Sequence, residues 1–238
     1  EVVNSTDKEK RDRYVKHLYK KLQREGQLER DVDRLVRNDR IAWGASMIAC
    51  KDADAMVTGN IRHYAASIEK LKKVTEPRPG EEIFGMTMIT LKGKTILVAD
   101  TNVQDFPSPK RLVKVSKSCV RVARLFGFDP KVAFLSHSTF GKPISKNTKH
   151  VRDAIELLKN EKVDFDFDGE MQPDVALNPI YQEIYPFSKI VGNANILIMP
   201  ALHSAAISTK LMKVFGGGKL IGPLLIGLGS PIEVAPLR

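Results

Sequence analysis

From residue 86 onward the chain alternates short apolar runs with longer stretches of helical period, and this alternation constrains the fold more than any other feature. The runs at 86–91, 95–99, 132–135 and 196–199 hold four to six residues each and are bounded by turn residues. Between most of them lie helical patterns, at 111–126, 148–160 and 205–215. Short apolar strands separated by helices of ten or more residues predict an α/β fold with helices on the faces of a sheet. Gly93, between Lys92 and Lys94, suits a tight hairpin, so the sheet is expected to be mixed rather than wholly parallel.

The earlier part of the chain is richer in helical patterns. Across 13–25, Tyr14, Val15, Leu18, Tyr19 and Leu22 recur at three- and four-residue intervals, the period of an amphipathic helix, and Gly26 stops it. Further helices are expected at 28–37 and 41–51, then a short strand at 55–58 and another helix after Gly59-Asn60. The breaker cluster Thr75-Glu76-Pro77-Arg78-Pro79-Gly80 marks a domain crossing. The expected division is 1–77, then 78–232, with 233–238 returning towards the first subdomain.

At 238 residues and 42% hydrophobic, the chain has the material for one large domain or two modest ones. Its net charge of +10 fits nucleic acid, an anionic membrane surface or a phosphorylated small molecule. Much of the excess lies in the first forty residues, where Lys and Arg alternate with acids and apolar residues, as on a solvated helix surface. No interleaved aromatics accompany it, which disfavours a nucleic-acid partner. The longest apolar run, at 221–228, is broken by Gly222 and Pro223 and is too short to cross a membrane. No secretory signal is visible. Cys50 and Cys119 have no second Cys or His at ligand spacing, so they read as two buried thiols in a reducing cytoplasm rather than a zinc site. The chain lacks an initiating Met and stops just after an apolar run, so it reads as a piece of something longer.

Chemistry is expected in three loops at the carboxyl ends of strands, where open α/β sheets place their ligands. The first is Ser136-His137-Ser138-Thr139-Phe140-Gly141-Lys142. Its hydroxyls, backbone amides and lysine suit a phosphate group. A His between two serines also fits nucleophilic catalysis, though no G-x-S-x-G elbow surrounds it, and an ordinary capped helix start is the plainer alternative. The second is Asp168-Gly169-Glu170-Met171-Gln172-Pro173-Asp174. Its carboxylates either hold a divalent metal or cap a turn and bond backbone amides, and the spacing favours the latter. The third, at 199–206, opens a helix, and its small residues let a ligand approach the backbone. Gly216-Gly217-Gly218-Lys219 follows a helix and lacks the Walker pattern. The G-x-G-x-x-G fingerprint is absent too, so the chain shows no NAD(P) site of its own.

The stretch 168–174, followed by Gly192-Asn193-Ala194-Asn195-Ile196-Leu197-Ile198-Met199-Pro200, resembles the phosphate acetyl/butyryl transferases. The match continues through Leu202, Ile207, Lys210, the glycines 216–218 and the run 221–228. Upstream it includes residues 53–59, 98–101 and 133–138, so it covers nearly the whole chain. Ala99-Asp100-Thr101-Asn102-Val103 and residues 135–141 look more like the malic-enzyme branch than the free-standing transferases. The resemblance implies two α/β subdomains with a cleft between them, mixed sheets flanked by helices, and an isocitrate dehydrogenase-like/phosphotransacetylase fold. It implies acetyl-CoA or CoA as ligand, held by Ser136, His137, Ser138, Lys142, Asp168, Glu170, Gln172, Pro200, His203 and Lys210, with no metal in this domain. NADP and a divalent metal then belong only to malate-oxidising domains elsewhere in the same chain. A homodimer or higher homo-oligomer in the cytoplasm, without nucleic acid or membrane, completes the expectation.

The departures from that pattern bear on catalysis. Acetyl transfer needs cations for the phosphate and donors for the charge developing on the attacked thioester. Leu22 and Glu69 stand where the active transferases carry arginines, and Pro236 and Leu237 stand where they carry a Ser-Arg pair. Each lost donor is worth about 2.7–4 kcal/mol of barrier. Arg62 or Arg238 would be the local substitute for a lost arginine. No catalytic residue is assigned. The expected role is an acetyl-CoA-binding regulatory and oligomerising domain of a malic enzyme, with an active phosphate acetyltransferase as the alternative.

Overall fold

The computed structural model describes residues 3–101, 103–145 and 148–236. The motif residue Asn102, and Leu237 and Arg238 at the end of the family pattern, lie outside the described residues. The chain forms two compact units, one from the segment up to Gly80 together with that from Leu228 onward, the other from Glu81–Gly227.

The first unit is mostly helical. Helix α1 (Lys8–Leu22) starts earlier than its apolar period suggests, because the Asp7 side chain accepts a hydrogen bond from the amide of Lys10. A 3₁₀ turn and Gly26, at φ 82°, end it. Helices α2 (Glu29–Asn38) and α3 (Arg40–Ala49) follow, then strand β1 (Met56–Gly59) and helix α4 (Tyr64–Val74). The last strand of the chain, β8 (Ile232–Ala235), pairs parallel with β1 from Met56↔Ile232 to Gly59↔Ala235. The core gathers Tyr14, Val15, Leu18, Leu22, Val32, Val36 and Trp43, with the rings of Tyr14 and Trp43 packed edge to face at 4.9 Å. Burial, then the hydrogen bond to Asp52, pushes the Tyr14 hydroxyl up to about 12. Asp39 caps α3 by accepting from the amides of Ile41 and Ala42, and it pairs with Arg62 and Lys70. Burial pushes its carboxyl up, but the hydrogen bonds from Lys70 and Arg62 outweigh burial and hold it below the usual carboxylate range.

The second unit is a six-stranded mixed sheet covered on both faces. Its strands are β2 (Phe84–Leu91), β3 (Lys94–Ala99), β4 (Lys131–Leu135), β5 (Asp166–Met171), β6 (Ile196–Ile198) and β7 (Lys219–Ile226). Their order is β5-β4-β6-β3-β2-β7. Pairings among β5, β4, β6 and β3 are parallel, whereas β2 runs antiparallel to both β3 and β7. The β2–β3 hairpin turns through Lys92-Gly93, as expected.

Side chains alternate across this sheet with a period of two. Leu97, Ala99, Val132, Phe134, Ile196 and Ile198 pack with helices α5 (Pro109–Leu125) and α6 (Lys149–Asn160). Val98, Ala133, Leu135, Leu197 and Met199 face the other way, with helices α7 (Pro173–Leu177) and α8 (Leu202–Gly216).

The structure corrects the sequence reading at three places. The expected loop at 168–174 is instead the end of strand β5 followed by helix α7, because its carboxylates find local donors and so tolerate an edge position. Residues 136–142 are not a capped helix start. They form a turn, and α6 begins only at Lys149, where Thr148 offers no side-chain cap. Cys50 is only half-buried, whereas Cys119 is fully buried and its thiol pKa is pushed up by desolvation, which leaves it unreactive.

Candidate functional site

The parallel strands β3, β6, β4 and β5 end on the same side of the second unit, and the candidate loops leave from those ends. At the end of β4 the amide of Ser136 donates to the carbonyl of Met171 at 2.9 Å, tying the loop to β5. Ser136 Oγ accepts from the amide of Ser138 at 3.3 Å and lies 3.2 Å from Ser138 Oγ. Thr139 and Lys142 then exchange backbone hydrogen bonds at 2.8 and 3.1 Å, closing a tight turn. Inside it Phe140 adopts φ 46°, rare for a bulky residue, and its amide donates to the carbonyl of Glu170 at 2.8 Å.

Glu170 is the hub of this arrangement. Phe134 pairs with Gly169 and Leu135 with Met171, so Glu170 is an extra residue in β5, turned out of the ladder. It is 1% exposed, and its Oε1 accepts from Ser138 Oγ at 3.0 Å, the Gly141 amide at 3.0 Å and Arg152 Nη1 at 3.2 Å. Arg152 also donates to Thr148 Oγ1 at 2.8 Å and to the Ser145 carbonyl at 3.2 Å. A buried carboxylate bound by this many donors clamps together β5, the turn and α6. Gln172 adds a second tie: its Nε2 donates to the His137 carbonyl at 2.6 Å, and its amide donates to Thr139 Oγ1 at 3.2 Å.

The carboxylates of the second loop do not converge. Asp168 accepts from the amides of Gly169 at 2.9 Å and Lys189 at 2.8 Å, and Asp174 accepts from the amide of Val175 at 3.0 Å. Glu170 has the separate donors just described. Asp168 and Asp174 thus each accept from nearby backbone amides, and no group of three or more candidate metal ligands occurs among the described residues.

At the end of β6, His150 Nε2 donates to the Pro200 carbonyl at 2.9 Å, and its ring lies 4.3 Å from that of Phe106. The first amide of α8, on Leu202, donates to the Asp105 carbonyl at 3.1 Å. His137, Lys142, His203 and Lys210 have exposed side chains. The structure thus joins Ser136, Ser138, Glu170 and Gln172, together with the backbone of His137 and Lys142, in one network. Pro200 is held separately through His150. No hydrogen bond among the described residues links His203 or Lys210 to the network.

Sequence reasoning missed Arg152 and His150, which look like ordinary surface residues of a helical pattern. Their signal was position: both fall in the first turn of the helix that follows the candidate loop. In the first unit, Leu22 is 3% exposed within the apolar core, Glu69 is exposed on α4, and Arg62 is engaged by Asp39.

Residues 1–236 match the family of phosphate acetyl/butaryl transferases. The chain is 43% identical over 237 residues to an NADP-dependent malic enzyme of Rhizobium meliloti, an alignment that takes in 100% of this chain and 31% of that protein. It therefore spans about a third of the length of the malic enzymes it matches. It is 30% identical over 243 residues to a phosphate acetyltransferase of Thermoanaerobacterium thermosaccharolyticum, covering 98% of this chain and 74% of that one. A solved phosphotransacetylase from Staphylococcus aureus superposes with a TM-score of 0.85 at 26% identity, over 99% of this chain and 73% of its own. With the match running almost from end to end and the fold the same, the chain belongs to the phosphate acetyl/butaryl transferase family.

Proposed function

We propose that this chain is the phosphotransacetylase-like domain of an NADP-dependent malic enzyme, binding acetyl-CoA or CoA as a regulatory ligand without transferring the acetyl group. The likeness to malic enzymes supports the context. In this reading NADP and the divalent metal act in malate-oxidising domains of the same cytoplasmic protein, and ligand binding here changes oxidative decarboxylation of malate there.

The observation that carries the absence of transfer is a change of chemistry at positions where the transferases hold cations. Leu22 is buried among apolar side chains, and Glu69 is an anion. The loops of the second unit, by contrast, stay fully built. Ser136 and Ser138 brace the loop from within, the exposed Lys142 supplies positive charge for phosphates without a metal, and the exposed His137 ring adds a polar contact. Glu170 accepts three hydrogen bonds through one oxygen and serves the loop rather than a proton transfer. Asp168, Gln172, Pro200, His203 and Lys210 complete the proposed ligand set.

Likeness to phosphate acetyltransferases favours the second reading, an active enzyme making acetyl phosphate and CoA from acetyl-CoA and phosphate. An assay with acetyl phosphate and CoA separates the two. The regulatory reading expects turnover far below about 1 s⁻¹, a typical enzymatic rate. A rate above that establishes the transferase.

The assembly proposal rests on the second unit. Among the described residues, strand β7 ends the sheet, paired with β2. On the face of the sheet covered by α8, that helix exposes Ile207, Leu211, Val214 and Phe215 at helical spacing. A stripe of this kind suits a second copy related by two-fold symmetry. Light scattering at micromolar concentration is expected to give a dimer or a larger even oligomer, and Phe215→Glu to shift it towards monomer. A monodisperse wild-type monomer contradicts the assignment.

A further inference from the structure

We propose that Phe187 is a stacking platform for the purine base of the CoA-type ligand, a residue-level extension that rests on the ligand reading above. Phe140, inside the candidate loop, packs against two rings from the segment that follows α7. Its centroid is 5.2 Å from that of Tyr185 and 4.8 Å from that of Phe187, the latter nearly perpendicular at 68°. Tyr185 and Phe187 also pack on each other at 6.0 Å. Phe187 is thereby held from one side while 64% of it stays exposed.

Both ends of this cluster are fixed by the site's own hydrogen bonds. The Phe140 amide is bound by the Glu170 carbonyl, and its left-handed φ of 46° is maintained by that bond and by the ring packing. On the other side, Asp168 accepts from the amide of Lys189 at 2.8 Å, and the Ser188 amide donates to the Tyr185 carbonyl at 3.0 Å. A ring anchored in this way loses little freedom when a planar ligand stacks on it.

The flanking charge fits the same ligand. Lys142 lies two residues after Phe140 and Lys189 two residues after Phe187, and both are exposed. The Lys189 ammonium lies 5.9 Å from the Phe167 ring, which leaves Lys142 as the cation of the loop offered to the ligand's phosphates beside an exposed aromatic for its base. The platform also gives a role to Asp168, which the loop network itself does not use: Asp168 sets the segment that carries Phe187.

The test is calorimetry in EDTA on the wild type, Phe187→Ala and Phe187→Tyr, with two ligands: acetyl-CoA, and S-acetyl-phosphopantetheine, which lacks the adenosine. Phe187→Ala is expected to weaken acetyl-CoA about tenfold, the size of one base stacked on one ring. It should leave acetyl-phosphopantetheine unchanged, and Phe187→Tyr should restore acetyl-CoA. Because the ring is exposed, the alanine variant keeps its core intact. Equal acetyl-CoA affinity in wild type and Phe187→Ala, or equal loss for both ligands, overturns the platform while leaving acetyl-CoA binding in place. A changed oligomeric state in Phe187→Ala assigns the ring to a protein interface and overturns it too. Failure of the wild type to bind acetyl-CoA removes the ligand reading and the platform together.

Discussion

Glu170→Ala is expected to destabilise the protein by about 3–5 kcal/mol, the cost of breaking a buried charge pair by removing one partner. The substitution leaves Ser138, which is fully buried, and the Gly141 amide without their shared acceptor. It also leaves the Arg152 guanidinium without its counter-charge. Arg152 keeps its bonds to Thr148 and Ser145 and is 33% exposed, which places the effect towards the lower end of that range. Glu170→Gln keeps the volume and one acceptor, so it should cost about half as much. Urea unfolding with an unchanged slope measures both variants. A loss under about 1 kcal/mol for the alanine variant means that the clamp does not form in solution. In the variants that fold, acetyl-CoA binding should weaken along with stability, since the turn from Thr139 to Lys142 loses its anchor.

Gly169→Ala is the second large effect, of about 2–4 kcal/mol. Gly169 has φ 144°, a region that L side chains rarely adopt. A Cβ there comes to 2.6 Å from the Phe134 carbonyl oxygen and 3.0 Å from the Phe134 Cβ. Phe134 is fully buried between the sheet and its helices, so neither atom can yield without disturbing the β4–β5 pairing. Gly26 is the control: its φ is 82°, but nothing lies within 4 Å of a Cβ built there. Gly26→Ala meets only the conformational penalty, about 1 kcal/mol. Thermal unfolding should therefore separate the two variants clearly, and equal shifts contradict the close approach at Gly169.

How much of this was legible in the sequence depends on where each residue sits. Residues 132–135 are buried on both faces of the sheet, so they form an unbroken apolar run that reads directly as a strand. Helix α5 was equally plain, since Leu112, Val113, Val115, Val120, Val122 and Ala123 are buried at helical spacing. Strand β5 was not. Residues 164–171 alternate acids with Phe165, Phe167 and Met171, which is a period-two signal, but their acid density suits a loop as well. Only the structure supplies the donors that make such an edge strand stable: the Gly169 and Lys189 amides for Asp168, and Ser138, Gly141 and Arg152 for Glu170.

The candidate site divides in the same way. Its loop positions followed from the rule that ligands gather at the carboxyl ends of parallel strands. Its inner partners did not, because Arg152 acts across eighteen residues of sequence and a register break that depends on Gly169. Helix α7, at five residues, is too short to show a period at all.

The central claim is that the chain binds acetyl-CoA without a metal, and calorimetric titration of acetyl-CoA in EDTA tests it most directly. Saturable binding is expected, one ligand per chain, weakening as salt is raised because cationic side chains meet the ligand's phosphates. Absence of heat, together with an unchanged unfolding temperature at millimolar acetyl-CoA in the folded protein, contradicts it.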